Sequence, residues 1–169
     1  MNISGTLAEK RAINTELKKN YWLFQKFKPL GLIKLSNKEL TQELIEGLKI
    51  LSAAFVVVVD DVTEEQISQN IIITQKVDTS SLSWFDFVVW DNDISKISDY
   101  MSAGVTPIIN KDNHLNTILK EFNPLKNEGN SFYYNESNHW AIFYTIVRYM
   151  ENYKFPFDNK NLIKNVLSV

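Results

Sequence analysis

Cysteine is absent from this sequence, which rules out disulfides and thiolate metal sites. Histidine is scarce as well: His114 and His139 lie 25 positions apart and argue against a histidine-based metal centre, so no metal is expected. With 5 glycines and 4 prolines, the breaks in the chain are short, no segment is of low complexity, and a single domain over residues 1–169 is expected. No apolar run approaches the roughly 18 residues of a membrane span. The first residues, MNISGTLAEKRA, lack the apolar centre of a signal peptide, so a cytoplasmic location is the expectation.

What remains is an ordinary globular composition, 44% hydrophobic and 22% charged, long enough to bury a core. The net charge of −2 argues against a nucleic-acid partner, although it averages a front (residues 1–38) at +6 and a remainder at −8. The basic front reads first as a solvated helix face, and alternatively as an attraction to phosphate or to an acidic surface. Tyr21, Trp22, Phe24 and Phe27 could stack bases, but their spacing suits an apolar helix face better.

Hydrophobic periodicity predicts an N-terminal helical segment over residues 1–28, chiefly Thr6 to Phe27, followed by an α/β body over 29–169. Leu30 to Leu35 has strand length. Ser36-Asn37-Lys38-Glu39 has the form of a capping box with Ser36 as cap, opening a helix that aligns Leu40, Leu44, Ile45, Leu48 and Leu51. Ala54 to Val59 is apolar without alternation, as a central parallel strand covered on both faces requires. At most two helical turns, Thr63 to Gln69, precede a strand at Ile71 to Thr74; DTSSLS is a loop and Trp84 to Trp90 a strand. Further on come a short helix ended by Gly104, a strand from Val105 to Ile109, a short helix marked by Leu115, Ile118, Leu119 and Phe122, and a strand SFYY. Two helices close the chain, one carrying Trp140, Phe143, Tyr144, Val147 and Met150 and the other Leu162, Ile163, Val166 and Leu167. Alternating strands and helices with apolar strand interiors imply a three-layer α/β fold, a mainly parallel sheet with helices on both faces.

Ligands of open α/β sheets sit at strand-to-helix corners, which directs attention to Asp91 to Ile109, DNDISKISDYMSAGVTPII. Asn92 or Asp93 can cap a helix starting near Ile94, whose free N–H groups favour an anion. Asp60-Asp61 at one strand end and Asp91 with Asp93 at another could hold magnesium or accept a phosphoryl group, as in a response-regulator receiver. Only nine residues, Val62 to Asn70, follow the acidic pair where a receiver needs a full helix, so Asp60-Asp61 reads mainly as solvated strand-end residues.

The run Tyr100 to Ile109 resembles the A-M-x-x-G-x-x-P-I-V signature of bacterial glycogen and starch synthases, retaining glycosyltransferases with two Rossmann-like domains. Glu128 to Tyr134 is similar to that family's G-x-G-F-x-F strand, Trp140 to Tyr153 to its A-L-x-x-Y helix, Asn161 to Val166 to its L-x-x-N-x-M end, and Leu30 to Gly47 to the opening of its C-terminal domain. The resemblance implies a Rossmann-like, nucleotide-sugar-binding domain taking a donor of the ADP-glucose or UDP-glucose type, with no further cofactor. It places Asp91 where a glutamate holds the donor sugar, and Asp91 with Asp99 on a related glycosyltransferase motif of two acids with seven residues between them, as catalytic candidates. It places Lys34, Lys38, Ile94, Ser95, Asn113 and His114 at the donor diphosphate. Here Ile94 replaces a glycine, Lys34 replaces an arginine and loses its bidentate fork, and Asn113-His114 stands in a G-G-L loop. The expectation is therefore a degenerate domain with weak or no nucleotide-sugar binding, inactive as an isolated chain, and a partner domain supplying the N-terminal half. A non-catalytic interaction or scaffold module docking a partner is the alternative, and a receiver-like phosphoacceptor the third.

Overall fold

A computed structural model describes residues 28–91, 96–112 and 118–169; the expected helix from Thr6 to Phe27 lies outside them. Seven strands form one sheet: β1 (Leu30–Lys34), β2 (Ala54–Val58), β3 (Glu65–Gln66), β4 (Ile71–Thr74), β5 (Phe87–Trp90), β6 (Thr106–Asn110) and β7 (Phe132–Tyr134). Their order is β3-β4-β2-β1-β5-β6-β7. Every neighbouring pair is parallel except β3 with β4. The unbroken apolar strands fit this arrangement, since a parallel strand is covered on both faces.

Alternation along β5 separates the two faces. Phe87 points toward the layer of α1 (Lys38–Leu48) and α3 (His139–Tyr153), where its ring meets Tyr149 of α3 at 4.7 Å and Phe55 edge-on at 6.3 Å. That contact needs a glycine beside it: a Cβ on Gly31 would stand 2.2 Å from Phe87 Cζ. Trp90, three residues on, faces the other way and meets Tyr100 of the short helix α2 (Ile97–Ser102) at 4.9 Å. A 3-10 helix over Thr79–Trp84 lies beside α2, so helices cover both faces as expected. α4 (Pro156–Val166) packs on α3 with Leu162 and Val166 fully buried.

α1 buries Leu40, Leu44, Ile45 and Leu48 of the predicted stripe, while Leu51 falls past the helix end and is only partly buried, and Phe143 of α3 rests against Gly47. The helix ends on a device that periodicity does not show. Buried Asn70, just ahead of β4, donates its side-chain amide to the carbonyls of Leu48, Leu51 and Ala53 at 2.9 to 3.0 Å, satisfying acceptors that α1 leaves open. Gly104 follows α2 at φ 70°, a conformation glycine adopts without strain.

Several local expectations are corrected. Asn37, not Ser36, caps α1, accepting from the Leu40 N–H at 3.0 Å, because Ser36 is held elsewhere. The stretch from Thr63 to Gln69 has no helical turn; it forms β3, which turns back along the edge of β4. Ser81 to Trp84 belongs to the 3-10 helix, which delays β5 to Phe87. Within the helix expected around Leu115 to Phe122, residues 118–122 are not helical: Glu121 bridges in parallel to Ser131, extending the β7 edge. In α3 the buried face is Ile142, Thr145, Ile146 and Tyr149, whereas Trp140 and Tyr144 lie in solvent.

Candidate functional site

The chain lays β2 and β4 on one side of β1, then crosses to place β5, β6 and β7 on the other. Adjacent strands whose connections leave in opposite directions open a crevice at their C-terminal ends, where open α/β sheets bind ligands. At that point a pocket of about 230 Å³ is lined by Lys34, Ser36, Lys38, Thr41, Asp60 and Asp91. α1 starts here. Asn37 caps the Leu40 N–H, while the N–H groups of Lys38 and Glu39, in the first turn, have no acceptor within the helix itself.

Asp91 closes the crevice by a clasp between β5 and the β1–α1 turn. One carboxylate oxygen accepts from the Ser36 hydroxyl at 2.7 Å, and both accept from the Ser36 N–H, at 2.9 and 3.0 Å. Lys34, opposite Trp90 in register, lays its ammonium 4.5 Å from the centroid of that indole. Lys38 stands 3.8 Å from Asp61, both well exposed, so this pair adds little stability and leaves Lys38 available. On the far side, Tyr134 is buried; burial, then the charge of Asp91, raises its phenol above the usual range.

Among the residues singled out in sequence, Lys34, Lys38 and Asp91 meet in this one pocket. Asp99 does not line it: it sits exposed in the first turn of α2, where it adds to the burial that lifts the Tyr100 phenol to about 12. Ile94, Ser95, Asn113 and His114 lie outside the described residues. Ser36 and Thr41 join the pocket without having been singled out as site residues, and Asp60 joins them, offered by the sequence as a phosphoacceptor or magnesium candidate and then mainly as a solvated strand-end residue. Asp60 was the most findable, since it follows β2, the strand next to β1. Among the described residues no cluster of side chains is suited to a metal, and no helix is long and apolar enough to cross a membrane.

No protein-family model and no curated protein matches this sequence. Solved structures match its fold. The catalytic domain of starch synthase IV from Arabidopsis thaliana, bound to ADP and acarbose, aligns with 99% of this chain and 39% of its own at a TM-score of 0.68 and 16% identity. Anabaena HepE, in complex with UDP and glucose, aligns with 92% of this chain and 46% of its own, at 0.66 and 13%. The UDP-GlcNAc 2-epimerase of Neisseria meningitidis, bound to UDP-GlcNAc, gives 95% and 46%, at 0.58 and 10%. At such identities the likeness is one of fold. The Rossmann-like architecture expected from the synthase-like motifs is present, and the chain spans less than half the length of each of these proteins.

Proposed function

We propose that this chain is a glycosyltransferase-like domain whose crevice between β1 and β5 takes the diphosphate end of a nucleotide sugar weakly, and that it is not catalytic alone. The observation that carries this reading is the coincidence of the strand-order reversal, the open start of α1 and two lysines in one pocket. Weakness follows from what else is there. Asp60 and Asp91 offset the two lysines, and the Asp91 carboxylate already serves Ser36, so a donor sugar would have to compete for it. The span of the alignments supports a second domain supplied by a partner, and a cytoplasmic setting belongs to the same proposal. The receiver reading is disfavoured by topology, since receivers order their strands 2-1-3-4-5, whereas leaving out β3 gives 3-2-1-4-5-6 here. A scaffold module would bind a partner and no nucleotide.

Thermal denaturation in ADP, UDP, ADP-glucose and UDP-glucose tests the proposal. With Kd about 1 mM and ligand at about 5 mM, the gain is RT ln 6, about 1 kcal/mol, or roughly 2–4 °C for a chain of this size. Lys34→Glu with Lys38→Glu should erase the shift. No shift with any of the four ligands sinks the binding reading.

A further inference from the structure

The bond that fastens Asp91 to the β1–α1 turn engages the donors of that turn. The Ser36 hydroxyl reaches one carboxylate oxygen at 2.7 Å, and the Ser36 N–H is shared by both oxygens at 2.9 and 3.0 Å. A backbone N–H and a serine hydroxyl just ahead of a helix start are groups that a phosphate takes. Thr41, the other hydroxyl lining the pocket, donates to the Asn37 carbonyl at 2.8 Å, which leaves Ser36 as the hydroxyl a ligand could use. The lysines stand outside this bond: Lys38 faces Asp61 at 3.8 Å, and Lys34 lies 4.5 Å from the centroid of the Trp90 indole. An internal anion therefore holds the neutral donors of the crevice while its cations face other partners.

This arrangement sets what an incoming diphosphate meets. It can approach Lys34 and Lys38 with Asp91 in place, but it then lies beside a like charge, in a pocket whose two aspartates balance its two lysines. To reach Ser36 it must take over the donors that Asp91 holds. Ser36 is exposed, so those donors are open to exchange from solvent, one anion replacing another on the same groups. Such an exchange gains little, whereas removing the Asp91 charge leaves the lysines in excess.

We propose that Asp91 is an autoinhibitory latch: its carboxylate sits on the donors that a ligand's phosphate would use and must be displaced before that ligand binds. The inference rests on the reading of the crevice as a diphosphate site. It reverses the role that the synthase-like motif implies for Asp91, from holding the donor sugar to excluding the diphosphate.

The test is calorimetric titration of the full chain and of its Asp91→Asn and Asp91→Ala variants with inorganic pyrophosphate, UDP and UDP-glucose. Asp91→Asn keeps the size and one acceptor oxygen of the side chain, so the folded crevice is retained even if Asp91→Ala loosens it. Both variants should bind pyrophosphate and UDP about tenfold more tightly than wild type, and UDP-glucose should gain by the same factor as UDP. Asp60→Asn removes a charge from the same pocket without touching Ser36, and should gain less than about threefold. Adding Ser36→Ala to Asp91→Asn should reverse the gain, because the ligand then finds no hydroxyl to take over. Wild-type binding that Asp91→Asn leaves equal or weakens overturns the latch alone, as does an Asp60→Asn gain as large as that of Asp91→Asn. Loss of UDP-glucose binding with UDP unchanged would return Asp91 to the sugar and also overturn it. Failure of wild type and both Asp91 variants to bind any of the three ligands at about 10 mM would overturn the diphosphate reading of the crevice and the latch with it. Binding confined to the Asp91 variants supports the latch and contradicts only the weak binding proposed for wild type.

Discussion

Removing the Asp91 carboxylate should loosen the crevice in a way that can be apportioned. Asp91 makes two bonds of substance to Ser36, one from the hydroxyl at 2.7 Å and one from the N–H that its two oxygens share. A hydrogen bond to a charged acceptor contributes about 1.5–3 kcal/mol where it is sheltered. Ser36 is exposed and Asp91 half-buried, so about half of that is the sensible figure. Ser36→Ala then costs about 1 kcal/mol and Asp91→Ala about 2 kcal/mol. The Ser36 N–H left behind can be hydrated, so no further desolvation penalty is added. With a urea slope near 2 kcal/mol/M, the midpoint falls by about 0.5 M and about 1 M respectively. The double variant should be no less stable than Asp91→Ala alone, because the hydroxyl has then lost its partner. Additive losses, or an Asp91→Ala midpoint within about 0.1 M of wild type, would refute the clasp. An unchanged midpoint together with a lost nucleotide response would instead make Asp91 a group that touches the ligand.

Gly31→Ala should be among the most damaging small changes, because its Cβ would meet Phe87 Cζ at 2.2 Å and both Cε atoms at 2.7 Å, with Phe87 pinned by Phe55 and Tyr149. A loss of about 3 kcal/mol is expected in urea, with much of it recovered in Gly31→Ala/Phe87→Leu; a wild-type midpoint for the single variant would contradict the packing. At high pH the buried tyrosines should destabilise the fold. Burial, with the nearby charge of Asp86 at Tyr149 and of Asp91 at Tyr134, raises these phenols, and Tyr100 rises to about 12. Below the unfolded value of 10.0 both states keep the proton and nothing is lost. Above it the unfolded chain sheds protons that the native state holds, so stability falls with rising pH, by up to about 1.4 kcal/mol per unit for each tyrosine. Tyr149→Phe should flatten that decline, and a stability constant from about pH 9 to about pH 11 would refute it.

Much of this fold is written in neighbouring residues. The unalternating Ala54 to Val58, the stripe Leu40, Leu44, Ile45 and Leu48, and Gly104 after α2 each carry their own instruction, and the resulting alternation of elements leads to a parallel α/β sheet. Motif order added the likeness to a synthase-type domain, and of that likeness the comparison with solved structures bears out the Rossmann-like fold. Phase and pairing are another matter. Ser36 and Asn37 are both good cap residues, and Asn37 takes the role because Asp91, 55 positions away, draws Ser36 off. Helical spacing identified α3 but not which side of it is buried; the sheet beneath places Ile142, Ile146 and Tyr149 inward and leaves Trp140 and Tyr144 to the solvent. Glu65 and Gln66 become a strand only because β4 presents an edge.

The sequence by itself determined the central strands and the long helices, since these follow from interactions within a few residues, but not the edge strand β3 or the 3-10 helix before β5. Only the tertiary structure decided that Lys34, Lys38, Asp60 and Asp91 share one crevice while Asp99 stands apart from it. That grouping depends on strand order, and strand order is set by which faces must be covered and not by any local run of residues.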